Sequence, residues 1–179
     1  LHLASKPWKI RQAIKAAESD TVFLLGDSTN DGLPEQFSQF LSCITDVAQE
    51  KIVLPVPGNH DITHPHFIGK ETDGIVGYMD FQRALLESAS ERGCFFSYDQ
   101  SSLAWALQIE DLDLIGLQCV ISGRKFQFPE SKEIDWLVQH LSSTPASWHI
   151  ILCHAPLLAH NPNRNIGPPY LDKNKRIQD

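Results

Sequence analysis

Short apolar runs that end in turn residues alternate along this chain with stretches whose apolar positions recur every three to four residues. Residues 6–18 are of the second kind, with Trp8, Ile10, Ile14 and Ala17 as the apolar set, and predict a helix. Thr21–Leu25 is a continuous apolar strand that runs into Gly26-Asp27. Pro34–Glu50 predicts a second helix, with Pro34 in the first turn, where a missing N–H costs nothing. Ile52–Val56 is a β-branched run ending in Pro57-Gly58 and predicts a second strand, so the order is strand–helix–strand with parallel pairing. A third helix follows over 78–90, stopped by Gly93. Strands are expected over 94–98, 103–109 and 112–120. In the middle one Leu103, Trp105, Leu107 and Ile109 alternate as in a half-buried antiparallel strand. A fourth helix over 129–141 puts Ile134, Leu137, Val138 and Leu141 toward the core, and 148–153 is the last strand. The tail after His160 is rich in Pro and Asn and reads as a loop, with a helix start near Leu171.

Composition narrows this α/β outline. With 179 residues, 42% of them hydrophobic, the chain reads as one domain, residues 1–179, with a real core. A formal charge of −7 disfavours a general nucleic-acid binder, which carries a basic face. No apolar run is long enough to cross a bilayer as a helix. Cys43, Cys94, Cys119 and Cys153 form no Cys-x-x-Cys pair, so neither a zinc ribbon nor a thioredoxin-like site is indicated. Small thiols in a reduced compartment are the expectation, and with them a cytoplasmic location.

The chemistry gathers where strands end. Leu25 runs into Gly26-Asp27, Val56 into Gly58-Asn59-His60-Asp61 after Pro57, and Leu152 into His154 after Cys153. In open α/β sheets, ligand sites lie beyond the carboxyl ends of parallel strands. Carboxylate, amide and imidazole arriving there from distant segments are the donor types of a transition-metal site. His140 and His149 are expected to be ordinary surface residues.

Gly58-Asn59-His60-Asp61 resembles the Gly-Asn-His-Asp/Glu motif of the calcineurin-like metallophosphoesterases. Phe23-Leu24-Leu25-Gly26-Asp27 is similar to that family's strand and Gly-Asp. The run from Ile150 through His154 to Pro156 resembles the strand and His that reach its second metal, and Leu1-His2-Leu3 looks like the tail of its Asp-x-His motif. The resemblance implies an α/β fold, a four-layer α/β/β/α sandwich of two mixed sheets, incomplete here. It implies two divalent transition metal ions, Mn, Fe or Zn, with His2 as ligand of the first, Asp27 of both, and Asn59 and His154 of the second. It also implies an apolar strand ending in Asp before Leu1 and a Gly-His-x-His after Asp179, or else a neighbouring chain or swapped segment that fills the gap, as in a homo-oligomer.

The same resemblance implies hydrolysis of phosphate mono- or diesters through a hydroxide held between the two metals. His60 would protonate the departing alkoxide, with Asp61 holding His60 in the right tautomer. Asn30 stands where the family often has a second Asp. It is a candidate for substrate binding together with His64, His160 and Arg164; His66 shares the loop of His64. Asp31 and Asp61 occupy places where the Ser/Thr protein phosphatases favour Arg and Glu, which argues against that branch. A small-molecule phosphoester is favoured over nucleic acid as the substrate. The rival reading is a non-catalytic binding module on the same fold, as in the retromer subunit; the presence of His60 favours the enzyme.

Overall fold

In the computed structural model, residues 6–62, 71–98, 102–118, 120–122, 125–127 and 131–154 are described. Helix α1 (Pro7–Ala16) ends two residues short of the sequence expectation, because Ala17 turns extended while its N–H still reaches Ala13 and Ile14. Strand β1 (Thr21–Leu25), helix α2 (Pro34–Glu50) and strand β2 (Ile52–Val56) fall where the pattern put them. Asn59–Ile62, just beyond β2, is the short helix α3. Helix α4 (Glu71–Glu91) starts well before the expected residue 78. It ends before Gly93, whose φ of +86° is open to glycine at no steric cost.

Strands β3 (Phe95–Tyr98), β4 (Trp105–Ile109), β5 (Leu112–Gly116) and the last strand, β8 (Trp148–Leu152), make one mixed sheet in the order β3-β4-β5-β8. Its first two pairings are antiparallel and β5–β8 is parallel. The run 112–120 is not one strand. It breaks after Gly116, and Val120–Ser122 (β6) pairs instead with Lys125–Gln127 (β7), a strand that the pattern did not reveal. Helix α5 (Ser131–Ser143) lies two residues later than expected. Strands β1 and β2 form a separate parallel pair, from Thr21 opposite Ile52 to Leu25 opposite Val56.

Alternate residues of each strand decide the layering. Val53 faces a cluster with Ile14 of α1, Phe37, Phe40, Ile44 and Val47 of α2, and Phe81 and Leu85 of α4. Ile52, Leu54 and Val56 face the other way and meet Trp105, Leu107, Leu114 and Leu152 of the second sheet. Beyond that sheet, Ala104, Ala106 and Ile115 pack against Leu137 of α5. The order is therefore helices, sheet, sheet, helix: an α/β fold in four layers. The expected alternation in β4 is present, but the strand is buried on both faces, because α5 covers the small alanines on either side of Trp105. Trp105 donates its indole N–H to the Pro55 carbonyl across the two sheets (2.8 Å). A Cβ at Gly116 would collide with that indole, so glycine is what lets the ring lie flat on β5.

Trp8, expected in the core, is 52% exposed, while Ile14 of the same expected set is buried. Strand β1 has β2 as its partner among the described residues, and Phe23 and Leu25 are exposed. Cys43, Cys94 and Cys153 are half-buried thiols. Among the described residues no helix is long and apolar enough to cross a membrane.

Candidate metal centre

Strands β1, β2 and β8 bring their carboxyl ends to one place. There the chain must turn sharply while two backbones touch, and two glycines allow it. Gly26 has φ +88°, and a Cβ on it would run into the His154 ring. A Cβ on Gly58 would run into the backbone and carboxylate of Asp27. Asp27 itself adopts φ +53°, a left-handed conformation that costs a non-glycine residue about 1–2 kcal/mol. That cost holds the carboxylate at the head of β1, where its Oδ1 accepts the His60 backbone N–H (3.0 Å).

His154 is oriented by main chain. A carbonyl can only accept, so the 2.8 Å contact between His154 Nδ1 and the Leu25 oxygen puts the ring proton on Nδ1. The neutral ring then offers its lone pair at Nε2. That nitrogen lies 3.2 Å from Asn59 Oδ1 and 3.7 Å from Asp27 Oδ2. Three lone-pair donors, a carboxylate, an amide oxygen and an imidazole, converge from three strand ends. Asp27 and His154 retain some exposure, at 32% and 22%. Such a set has the chemistry of a divalent-cation site, since a cation between them offsets the repulsion of facing lone pairs. Among the described residues no group of three His, Cys, Asp or Glu is arranged to hold a metal ion; here Asn59 is the third donor.

His60 is held in the same manner, but not as the sequence suggested. Its Nδ1 donates to the Asn30 backbone carbonyl (2.8 Å). Asp61, expected to orient His60, turns inward and is fully buried. Its Oδ2 accepts from the N–H groups of Gly58 (2.9 Å) and Ser28 (3.2 Å). Its Oδ1 accepts from the N–H (2.8 Å) and hydroxyl (3.0 Å) of Thr29. Asp61 thus ties the loop after β1 to the loop after β2 and sets the distance between Asp27 and Asn59. Burial pushes its carboxyl from the ordinary 3.8 up to about 6, against the pull of those four donors. Thr29 closes the loop on itself by accepting the Gly32 N–H (3.0 Å).

The structure therefore gathers Asp27, Asn59, His60 and His154, and uses Asn30 through its carbonyl. His2, His64, His66, His160 and Arg164 lie outside the described residues. Sequence reasoning missed the carbonyls of Leu25 and Asn30, because every residue has a carbonyl and nothing in its side chain marks the one that is used.

A second missed cluster lies between β5, β8 and α5. Asp113 is buried, and His149 Nδ1 (2.7 Å) and His140 Nε2 (3.0 Å) both contact its Oδ2. His140 and His149 are thus not ordinary surface residues. His149 is the direct register partner of Asp113 across the parallel pair, and α5 lays His140 over the same carboxylate with Trp136 stacked on its ring. The pair helps to fasten β8, whose first four residues are exposed, and so supports the strand that delivers His154.

Comparison with known families agrees with this geometry. The family model described as Calcineurin-like phosphoesterase matches residues 3–176. The chain belongs to that family, whose members generally hydrolyse phosphoesters with divalent metals. No match is found among the curated proteins.

Proposed function

We propose that this chain hydrolyses small phosphate esters with the help of two divalent transition metal ions, Mn, Fe or Zn. Asp27, Asn59 and His154 would hold the second ion, and Asp27 with His2 would contribute to the first. Ions bound there supply Lewis acidity toward the phosphoryl oxygens and a water acidic enough to attack at neutral pH. The observation that carries the reading is the placing of His60. Its backbone N–H is bonded to the carboxylate of Asp27, and its ring is locked by Asn30. With Nδ1–H fixed on a carbonyl, the imidazolium form presents its second proton at Nε2, where a departing alkoxide can take it. Asp61 holds the two loops in register and does not touch the transferred proton.

Turnover of bis(p-nitrophenyl) phosphate and of the monoester, with Mn, Fe or Zn added to metal-stripped full chain, tests the reading. Release of p-nitrophenolate that stops on chelation supports it. Stoichiometric metal with no turnover of either ester would instead make the chain a non-catalytic binding module.

A further inference from the structure

Along the loop that follows Asp27 lies a cleft of about 170 Å³, bounded by the start of α1, that loop and the first turns of α2. On a scale where one water needs about 10–15 Å³, it has room for a group the size of a pentose. Phe40, 2% exposed, supplies an apolar wall. Ser28, Asn30 and Gln39 bring polar groups to the lining. Two further polar groups are already engaged. The Gln36 amide accepts the Asp31 N–H (3.0 Å) and donates to the Asp31 carboxylate (2.9 Å). The Thr29 hydroxyl is committed to Asp61 and Gly32. Among the described residues, no charged side chain lines the cleft.

The geometry points to this cleft as the seat of the alcohol portion of the substrate, which is uncharged and rich in hydroxyl groups. The inference rests on the hydrolytic reading above. Ser28, Thr29 and Asn30, which line the cleft, follow the proposed metal ligand Asp27 directly, so a phosphate held at Asp27 has its substituent within reach of the same loop. Amides and a hydroxyl offer both donors and acceptors, which match a polyol, while Phe40 matches its carbon skeleton. A second phosphate or a carboxylate placed there would be desolvated without a cationic partner, so esters of anionic alcohols and polynucleotides are disfavoured.

The test is competition against bis(p-nitrophenyl) phosphate in the Mn-loaded full chain. The competitors are the phosphate monoesters of methanol, glycerol and glyceric acid. The glycerol ester is expected to bind about tenfold tighter than the methyl ester, the yield of one or two net hydrogen bonds. The glycerate ester is expected to bind no tighter than the methyl ester. Gln39 is exposed on α2 and outside the catalytic machinery. Gln39→Trp, which fills the cleft, should remove the advantage of glycerol over the methyl ester. Gln39→Lys should make the glycerate ester the best of the three. Equal inhibition by all three esters overturns the inference, as does a Gln39→Trp variant that weakens all three alike. Calorimetric titration with the same esters reads the same order without turnover. A preserved order in a protein that hydrolyses nothing would sink the hydrolytic reading and keep the cleft, whereas turnover without the order would do the reverse.

Discussion

Replacing Asp61 by Asn sets two physical effects against each other. The carboxylate is fully buried and accepts four hydrogen bonds, two on each oxygen. A protonated carboxyl keeps all four contacts: its single proton goes to the Thr29 hydroxyl, which turns its own proton away in order to accept, and the remaining lone pairs still receive the three N–H groups. An amide cannot do this. Its NH2 group, in its best placing toward Thr29, satisfies the hydroxyl but points its second proton at the Thr29 N–H. That leaves two buried N–H groups facing each other with no acceptor, at about 1–3 kcal/mol for each. The wild type is destabilised in a different way. Its carboxyl is raised by burial from 3.8 to about 6, so the associated stability is complete below 3.8 and is lost as pH rises through 6. That loss amounts to about 3 kcal/mol in all, of which about 2 falls between pH 4.5 and 7.5. The amide of the variant does not titrate. Urea unfolding of both proteins, followed by circular dichroism in chelator across that range, should therefore show Asp61→Asn less stable at acid pH, with the gap closing by about 2 kcal/mol toward pH 7.5. A gap that widens with pH would show that the four donors outweigh burial and that the carboxylate is the favoured form.

His60→Ala should leave metal content near normal and lower turnover about 10²–10⁴-fold, the worth of a positioned general acid, with a smaller loss on esters whose leaving group needs no proton. Asp27→Ala should instead empty the metal positions, as read by elemental analysis. If the two variants exchanged behaviours, the assigned roles would be wrong. Gly58→Ala forces a methyl into the Asp27 backbone and should cost about 1–3 kcal/mol in urea unfolding together with metal affinity. An unchanged midpoint would show that the two loops can part. Asp113→Ala strands two half-buried imidazoles and should cost about 2–4 kcal/mol. A loss under about 1 kcal/mol would mean that the β5–β8 ladder and Leu152 alone hold β8.

Local pattern carried much of this protein. The 3.6-residue period of Pro34–Glu50, the apolar runs of β1 and β2 and the polar groups at their ends are written in neighbouring residues, so the α/β order was readable directly. The residue types Asp27, Asn59, His60 and His154 were readable too, because each follows a strand end and strand ends gather in such folds. What the chain could not show were facts about pairs of distant segments. Ala104 and Ala106 are buried only because α5 crosses them. The run 112–120 breaks after Gly116, which pairs with Trp105, the first residue of β4, and β6 then finds its own partner. Asp113 meets His149 through the register of β5 on β8, and meets His140 because α5 lies over that register. Asp61 looked like the partner of the neighbouring His60, yet its oxygens face the opposite loop, and His60 took a carbonyl 30 residues away. Backbone donors and acceptors are the same at every position, so only the tertiary structure could decide which of them hold the side chains of the site.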